Sequence, residues 1–180
     1  MPADKDRLYV VLYARGGRPT MPGNEDKYHW ALMIGPKVEK EGLTGVPYHA
    51  INKLDSSGGG SEWFFEERES SLTPTNMLLV RIMVGKVTDK NRLVDILRKT
   101  PIRQGQPGWN CVGWVKEALE MLEADTRALG TRVIGWEKVR NEAMGYCQRK
   151  TDQHRFDGQS NFDTSKASTY DLMEQKEIIV

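Results

Sequence analysis

The chain is poor in cysteine, nearly neutral, and free of long apolar runs. Its two cysteines, Cys111 and Cys147, are too few for a disulfide scaffold. In a reducing, cytoplasmic setting, the expected location, such residues are catalytic or buried rather than bridged. Lys and Arg number 26 against 25 Asp and Glu, leaving a formal charge of +1. No whole-molecule field therefore argues for nucleic acid or membrane. No apolar stretch approaches the length of a membrane span. Residues 1–7 lead straight into strand-like sequence, so no signal peptide is expected. A strand–GxGxxG–helix element and a P-loop are both missing, which removes support for nucleotide cofactors. There are no internal repeats. Histidine occurs three times, at positions 29, 49 and 154, so imidazole chemistry has few places to reside.

What is present is ordinary for a globular protein: 180 residues, 38% hydrophobic and 28% charged, enough for one domain with a core and a tail. Residues 8–14 (LYVVLYA) are apolar on both faces and read as a central strand. A Gly/Pro-rich loop follows, then a strand over 28–34 (YHWALMI) with His29, Ala31 and Met33 on one face. Residues 36–45 form a polar connection. A third strand at 46–52 (VPYHAIN) puts His49 and Ile51 on one face. A glycine turn at 55–61 leads to a strand at 62–68, where Glu62, Glu66, Glu67 and Glu69 read as its wet face and turn. Residues 76–87 give the longest strand signal.

Asp89 reads as an N-cap for a helix with Leu93, Ile96 and Leu97 inward, stopped by Pro101. A second helix runs from Cys111 to about Ala124, and a third covers 135–150 with Trp136, Val139, Ala143 and Tyr146 on one face. Strands first and helices last predict an α+β fold, an antiparallel sheet of about five strands followed by three helices. Residues 1–150 are expected to form a single domain. Residues 151–180 read as a polar C-terminal tail, loosely docked or disordered, with a short strand or a frayed end at 177–180.

The chemistry candidates converge on Cys111. Val112, Val115, Leu119 and Leu122 share one helical face, which puts Cys111 in the first turn, where unpaired N–H groups stabilise a thiolate. A thiolate nucleophile needs an imidazole and a group that orients it. His29 is the candidate base and His49 the residue that holds its ring, provided their strands pair as a hairpin. The Cys111 N–H, with Asn110, Gln104 or Gln106, could form an oxyanion hole. Trp109 and Trp114 flank the cysteine and could wall a pocket. Arg15 and Arg18 are candidate anion contacts at the mouth of the site. Lys86, Lys90, Arg92, Arg98, Lys99 and Arg103 outnumber Asp89 and Asp95, and Lys90, Arg98 and Lys99 are the candidates for touching phosphate. Acyl-cysteine chemistry requires no metal and no organic cofactor. The competing readings are a buried structural cysteine, two hydrogen-bonded strand histidines without chemistry, and a zinc site, which lacks any local ligand pair.

The motif order His-Trp-Ala-Leu-x-Ile-Gly from His29, a second strand histidine about twenty residues on, then Asn-Cys opening a helix, resembles the circularly permuted NlpC-like papain-fold enzymes. These are typified by lecithin retinol acyltransferase and related thiol acyltransferases. The resemblance covers roughly residues 28–122. It implies a permuted papain-like arrangement with His29 as base, His49 as orienting residue and Cys111 as nucleophile. The family's Glu-His-Phe after the cysteine is Val112-Gly113-Trp114 here, and no hydrophobic C-terminal anchor is present, so the implied mechanism transfers better than a lipid substrate. Trp109-Asn110-Cys111 is also similar to small fungal proteins with His-Trp-Ala early and Trp-Asn-Cys late.

The expected function is a cysteine-dependent acyl-transfer enzyme, hydrolase or transferase, acting on a small-molecule, peptide or acyl-ester substrate. One alternative draws on fungal arginine-containing cyclodipeptide synthases, to which no motif residues match: an acyltransferase fed by aminoacyl-tRNA. Another is a non-enzymatic binding module using Trp63, Trp109 and Trp114. The sequence leaves the acyl donor, the acceptor and the oligomeric state open.

Overall fold

A computed structural model describes residues 5–38, 44–54, 57–68, 70–71 and 77–180. Glu69, Asp55, Asn76 and residues 39–43 of the 36–45 connection lie outside them. The chain folds as α+β. Its strands are β1 (Arg7–Ala14), β2 (Tyr28–Gly35), β3 (Thr44–Leu54), β4 (Ser61–Glu67), β5 (Ser70–Ser71), β6 (Leu78–Val87), β7 (Leu129–Arg132), β8 (Ser168–Asp171) and β9 (Lys176–Ile179). Its helices are α1 (Lys90–Lys99), α2 (Cys111–Ala124) and α3 (Trp136–Asp152). Among the described residues the sheet runs β4-β3-β2-β1-β6-β8-β9, with β5 on β3 and β7 on β6.

The expected core of the sheet is present, with β1 between β2 and β6, as its two-faced apolarity requires. Two expectations need correction. The sheet is mixed rather than antiparallel, because β8 runs parallel to β6. A parallel pair needs a long crossover, and here that crossover carries all three helices. The sheet is also larger than five strands: β5, β7 and β8 add to the expected set, and of the two readings of 177–180 the short strand forms, as β9. The segment after residue 150 is built into the sheet through β8 and β9, so it is no loose tail over that stretch. Its docking adds buried cations to a few apolar contacts, with Leu172 in the main core and Tyr170 packed against it. Lys150, 2% exposed, meets Glu177 at 2.7 Å, and buried Arg155 donates to Ser168 Oγ and to the Asp163 and Lys166 carbonyls.

Side-chain alternation divides the sheet into two faces. Leu8, Val10, Leu12, Trp30, Leu32 and Ile34 belong to the large core shared with the helices. Tyr9, Val11, Met33 and Met83 form a smaller cluster on the opposite face, joined by Tyr13, Leu78 and Met173. The helices begin where their caps dictate. Asp89 accepts from the Arg92 N–H, and Asn110 from the Val112 N–H at 2.9 Å. Trp30 and Trp114 are fully buried between sheet and helices.

Candidate functional site

The site is organised by a ladder that stops early. β2 and β3 pair only from Leu32 opposite Tyr48 to Ile34 opposite Val46. Beyond Leu32 the strands are joined by side chains: His29 Nε2 lies 2.7 Å from His49 Nδ1. The β3–β4 hairpin places Glu66 directly across from His49, and its carboxylate oxygen lies 3.3 Å from His49 Nε2. The result is one chain of contacts, Glu66–His49–His29.

Hydrogen-bond roles along this chain follow from its acidic end. A carboxylate only accepts, so His49 donates through Nε2–H. Neutral His49 then accepts at Nδ1, and His29 must donate through Nε2–H. That tautomer leaves the lone pair of His29 Nδ1 free. Burial, then the neighbouring His49 and Arg15, hold the His29 imidazolium down to a pKa of about 4. Burial also lowers the pKa of His49, and Glu66 offsets part of this. Near neutral pH His29 is an uncharged base whose orientation is set by its partners.

Tyr13, Ala14, His29, Pro47, His49, Glu66, Arg68 and Met77 line a cleft of about 300 Å³. Tyr13 pairs with His29 across the β1–β2 ladder, ring centroids 5.8 Å apart, and burial raises its hydroxyl to about 12.

Cys111 sits in the first turn of α2, as its sequence context predicts, but it is 1% exposed and belongs to the helix-side core. It does not line the cleft. Burial raises its pKa, reversing the lowering expected from a helix N-terminus. The expected helix effect is real but smaller: the backbone N–H groups of Trp30, Val112 and Cys111, together with Arg15, all favour the thiolate. Trp30 is the residue after His29 and has no β3 partner in the ladder. Trp30 packs with Cys111 in the helix-side core, whereas His29, the residue before it, lines the cleft on the other face of β2.

Other candidate residues are occupied elsewhere. Asn110 caps α2 through Oδ1, and its Nδ2 reaches only Met21 Sδ at 3.5 Å. The Gln104 amide is spent on the Trp63 backbone, accepting from N–H and donating to C=O. Gln106 is exposed and engages Arg103 through its backbone. Trp109 packs edge-on to Trp63 and against Gly113, and Trp114 is core; neither walls the cleft. Arg15 donates to the Asp26 carbonyl, and its charge reaches both His29 and Cys111. Arg18 is exposed. The basic segment is locally neutralised: Lys90 meets Asp6, Arg98 meets Glu67, Lys99 meets Asp95 and Arg103 meets Glu117.

Glu66 was missed in the sequence because it was read as solvated. The clue was positional: a hairpin centred on the glycine turn brings residue 66 opposite residue 49. Among the described residues, no group of three or more His, Cys, Asp or Glu side chains could hold a metal ion. No described helix is long and apolar enough to cross a membrane.

Sheet, helix layer and relay together define an α+β domain with a glutamate-oriented histidine pair at the edge of a cleft. The model of a family of unknown function (DUF6914) matches residues 5–179, and the chain belongs to that family. Comparison with curated proteins and with solved structures gave no match.

Proposed function

We propose that the chain is a thiol-dependent acyl-transfer enzyme of the permuted papain-like kind, with Cys111 as nucleophile and His29 as base. The observation that carries this reading is the free Nδ1 of His29. The Glu66–His49 chain leaves it unprotonated, and the backbone N–H of the next residue, Trp30, is among the groups that favour the Cys111 thiolate.

This reading requires Cys111 Sγ, which lies in the helix-side core, to reach His29 Nδ1 through the gap between β2 and β3. His29 then takes its proton and the thiolate attacks a carbonyl carbon. The tetrahedral adduct collapses as His29 returns the proton to the leaving amine, alkoxide or thiolate. An acyl-Cys111 thioester remains. Water or an amine, deprotonated by His29, then releases the acyl group. His49 and Glu66 hold the ring and stabilise the imidazolium that forms. The Asn110 Nδ2, spent only on a thioether, is the side-chain donor this reading assigns to the oxyanion.

The test is capture of the acyl-enzyme. Incubation with p-nitrophenyl esters of increasing chain length, followed by peptide mass spectrometry, is expected to place one acyl group on Cys111 and none in Cys111→Ser. Ester turnover that survives in Cys111→Ala but is lost in His29→Ala would overturn the covalent mechanism. It would establish a second reading, in which His29 activates water in the cleft. That reading is favoured by one observation, that the cleft is lined by the relay and not by the sulfur.

A further inference from the structure

The same open face of the sheet carries a second concavity at its other end. Arg7, Tyr9, Val11 and Tyr13 alternate onto this face of β1. Six residues of strand separate Arg7 from Tyr13, or about 20 Å. Around Arg7 lies a cavity of about 610 Å³ whose walls include Lys37, Lys86, Met83 and Met173. That volume is in the range of small-molecule sites.

Its charge is one-sided. Asp171 lines it, but its carboxylate accepts from the Met173 and Glu174 N–H groups. Glu174 is paired with Lys176 at 3.0 Å. Arg7, Lys37 and Lys86 have no carboxylate partner among the described residues. Their field is felt locally: Glu174 is held below the usual carboxylate range, first by Lys176 and further by Lys37 and Lys86. Lys166 also lines the cavity, its charge shared with Asp163. An adjoining cavity of about 460 Å³ is lined by Arg7, Lys37 and Lys86 as well.

Arg7 is the decisive residue. It is 4% exposed, and Nη1 donates to the Lys5 carbonyl at 2.8 Å. Its Nε is buried with no hydrogen-bond partner. Buried guanidinium donors are normally satisfied, because an unmade hydrogen bond to a charged group is expensive. A planar fork beside two lysines matches the oxygens of a tetrahedral or planar oxyanion. Met83 and Met173 supply an adaptable apolar wall beside it.

We propose that this cavity binds a small amphiphile with a phosphomonoester head, the phosphate on Arg7, Lys37 and Lys86 and the apolar body against Met83 and Met173. The site is separate from the histidine relay and does not depend on the acyl-transfer reading.

Isothermal titration of the full chain with octyl phosphate tests it, with octyl glucoside and inorganic phosphate as the other probes. Saturable 1:1 binding of octyl phosphate is expected, weakened about tenfold in Lys37→Gln or Lys86→Gln. Both lysines are exposed, so these variants keep the fold. Inorganic phosphate is expected to bind at least about tenfold more weakly, since it leaves the methionine wall uncovered. Octyl phosphate that fails to saturate, binds no better than octyl glucoside or phosphate, or is indifferent to both lysine variants would overturn the proposal.

Discussion

Cys111 and Cys147 are both sealed in the core between sheet and helices, yet their surroundings differ in kind. Cys147 lies within α3 against the Tyr28 hydroxyl, and burial drives it up to about 11. Cys111 is also raised by burial, but it stands in the first turn of a capped helix, where three backbone N–H groups favour its thiolate. One of those N–H groups comes from the strand that bears His29. Burial alone makes a thiol inert. What separates the two is the helix start and the gap between β2 and β3, both fixed before any side-chain chemistry begins.

The comparison can be broken most directly by acyl capture. His29→Ala is expected to lower acylation of Cys111 by about 10²–10⁴-fold, the usual worth of a positioned base. Cys147→Ala should leave it unchanged, read by the same mass-spectrometric assay. Equal acylation of both cysteines would erase the distinction.

The pH dependence of stability sharpens it next. His29 titrates near 4 when folded, against 6.5 in the free side chain. As pH falls below about 6.5 the unfolded chain takes up a proton that the folded chain refuses until about pH 4. Stability should therefore drop through that window, by up to about 3 kcal/mol, and stay flat just above it. Urea melts at pH 7, 5.5 and 4.5 check this, and His29→Asn should flatten that part of the curve. The alkaline limb belongs to the cysteines. Cys147 ionises at about 9 unfolded but about 11 folded, so stability falls as pH rises above about 9, and Cys147→Ala should reduce the fall.

Smaller effects separate the two helix starts. Asn110→Ala removes the α2 cap and should cost about 1 kcal/mol in urea melts. α3 begins at Gly135 with no side-chain cap, so Gly135→Ala removes no such bond. Lys99→Ala breaks an exposed i,i+4 pair with Asp95 and is expected to change stability by no more than about 0.5 kcal/mol.

Much of this was legible in the chain. The two-faced apolarity of 8–14, the alternation in 28–34, the Asp89 cap and the period of the three helices reappear close to their expected limits, whereas the Asn110 cap is a finding of the structure. So does the approach of His29 to His49, because neighbouring strands joined by a short connection pair readily. The parallel strand β8 is not legible, since three of its four residues are polar and it is held by Arg155, a backbone ladder and the single aromatic Tyr170. Glu66 was visible only as a charge on a strand.

Local sequence by itself determined the five longer strands, where the helices start, and that His29 and Trp30 must face opposite ways. Those properties depend on neighbours within a few positions, through backbone sterics and capping. Tertiary structure alone decided that β2 and β3 part beyond Leu32, that Glu66 closes the histidine chain, and that Cys111 is buried enough for desolvation to outweigh its helix. Each of these depends on groups far apart in the chain meeting in a medium of low polarity, where the balance of burial against partners is set by packing and cannot be read from spacing.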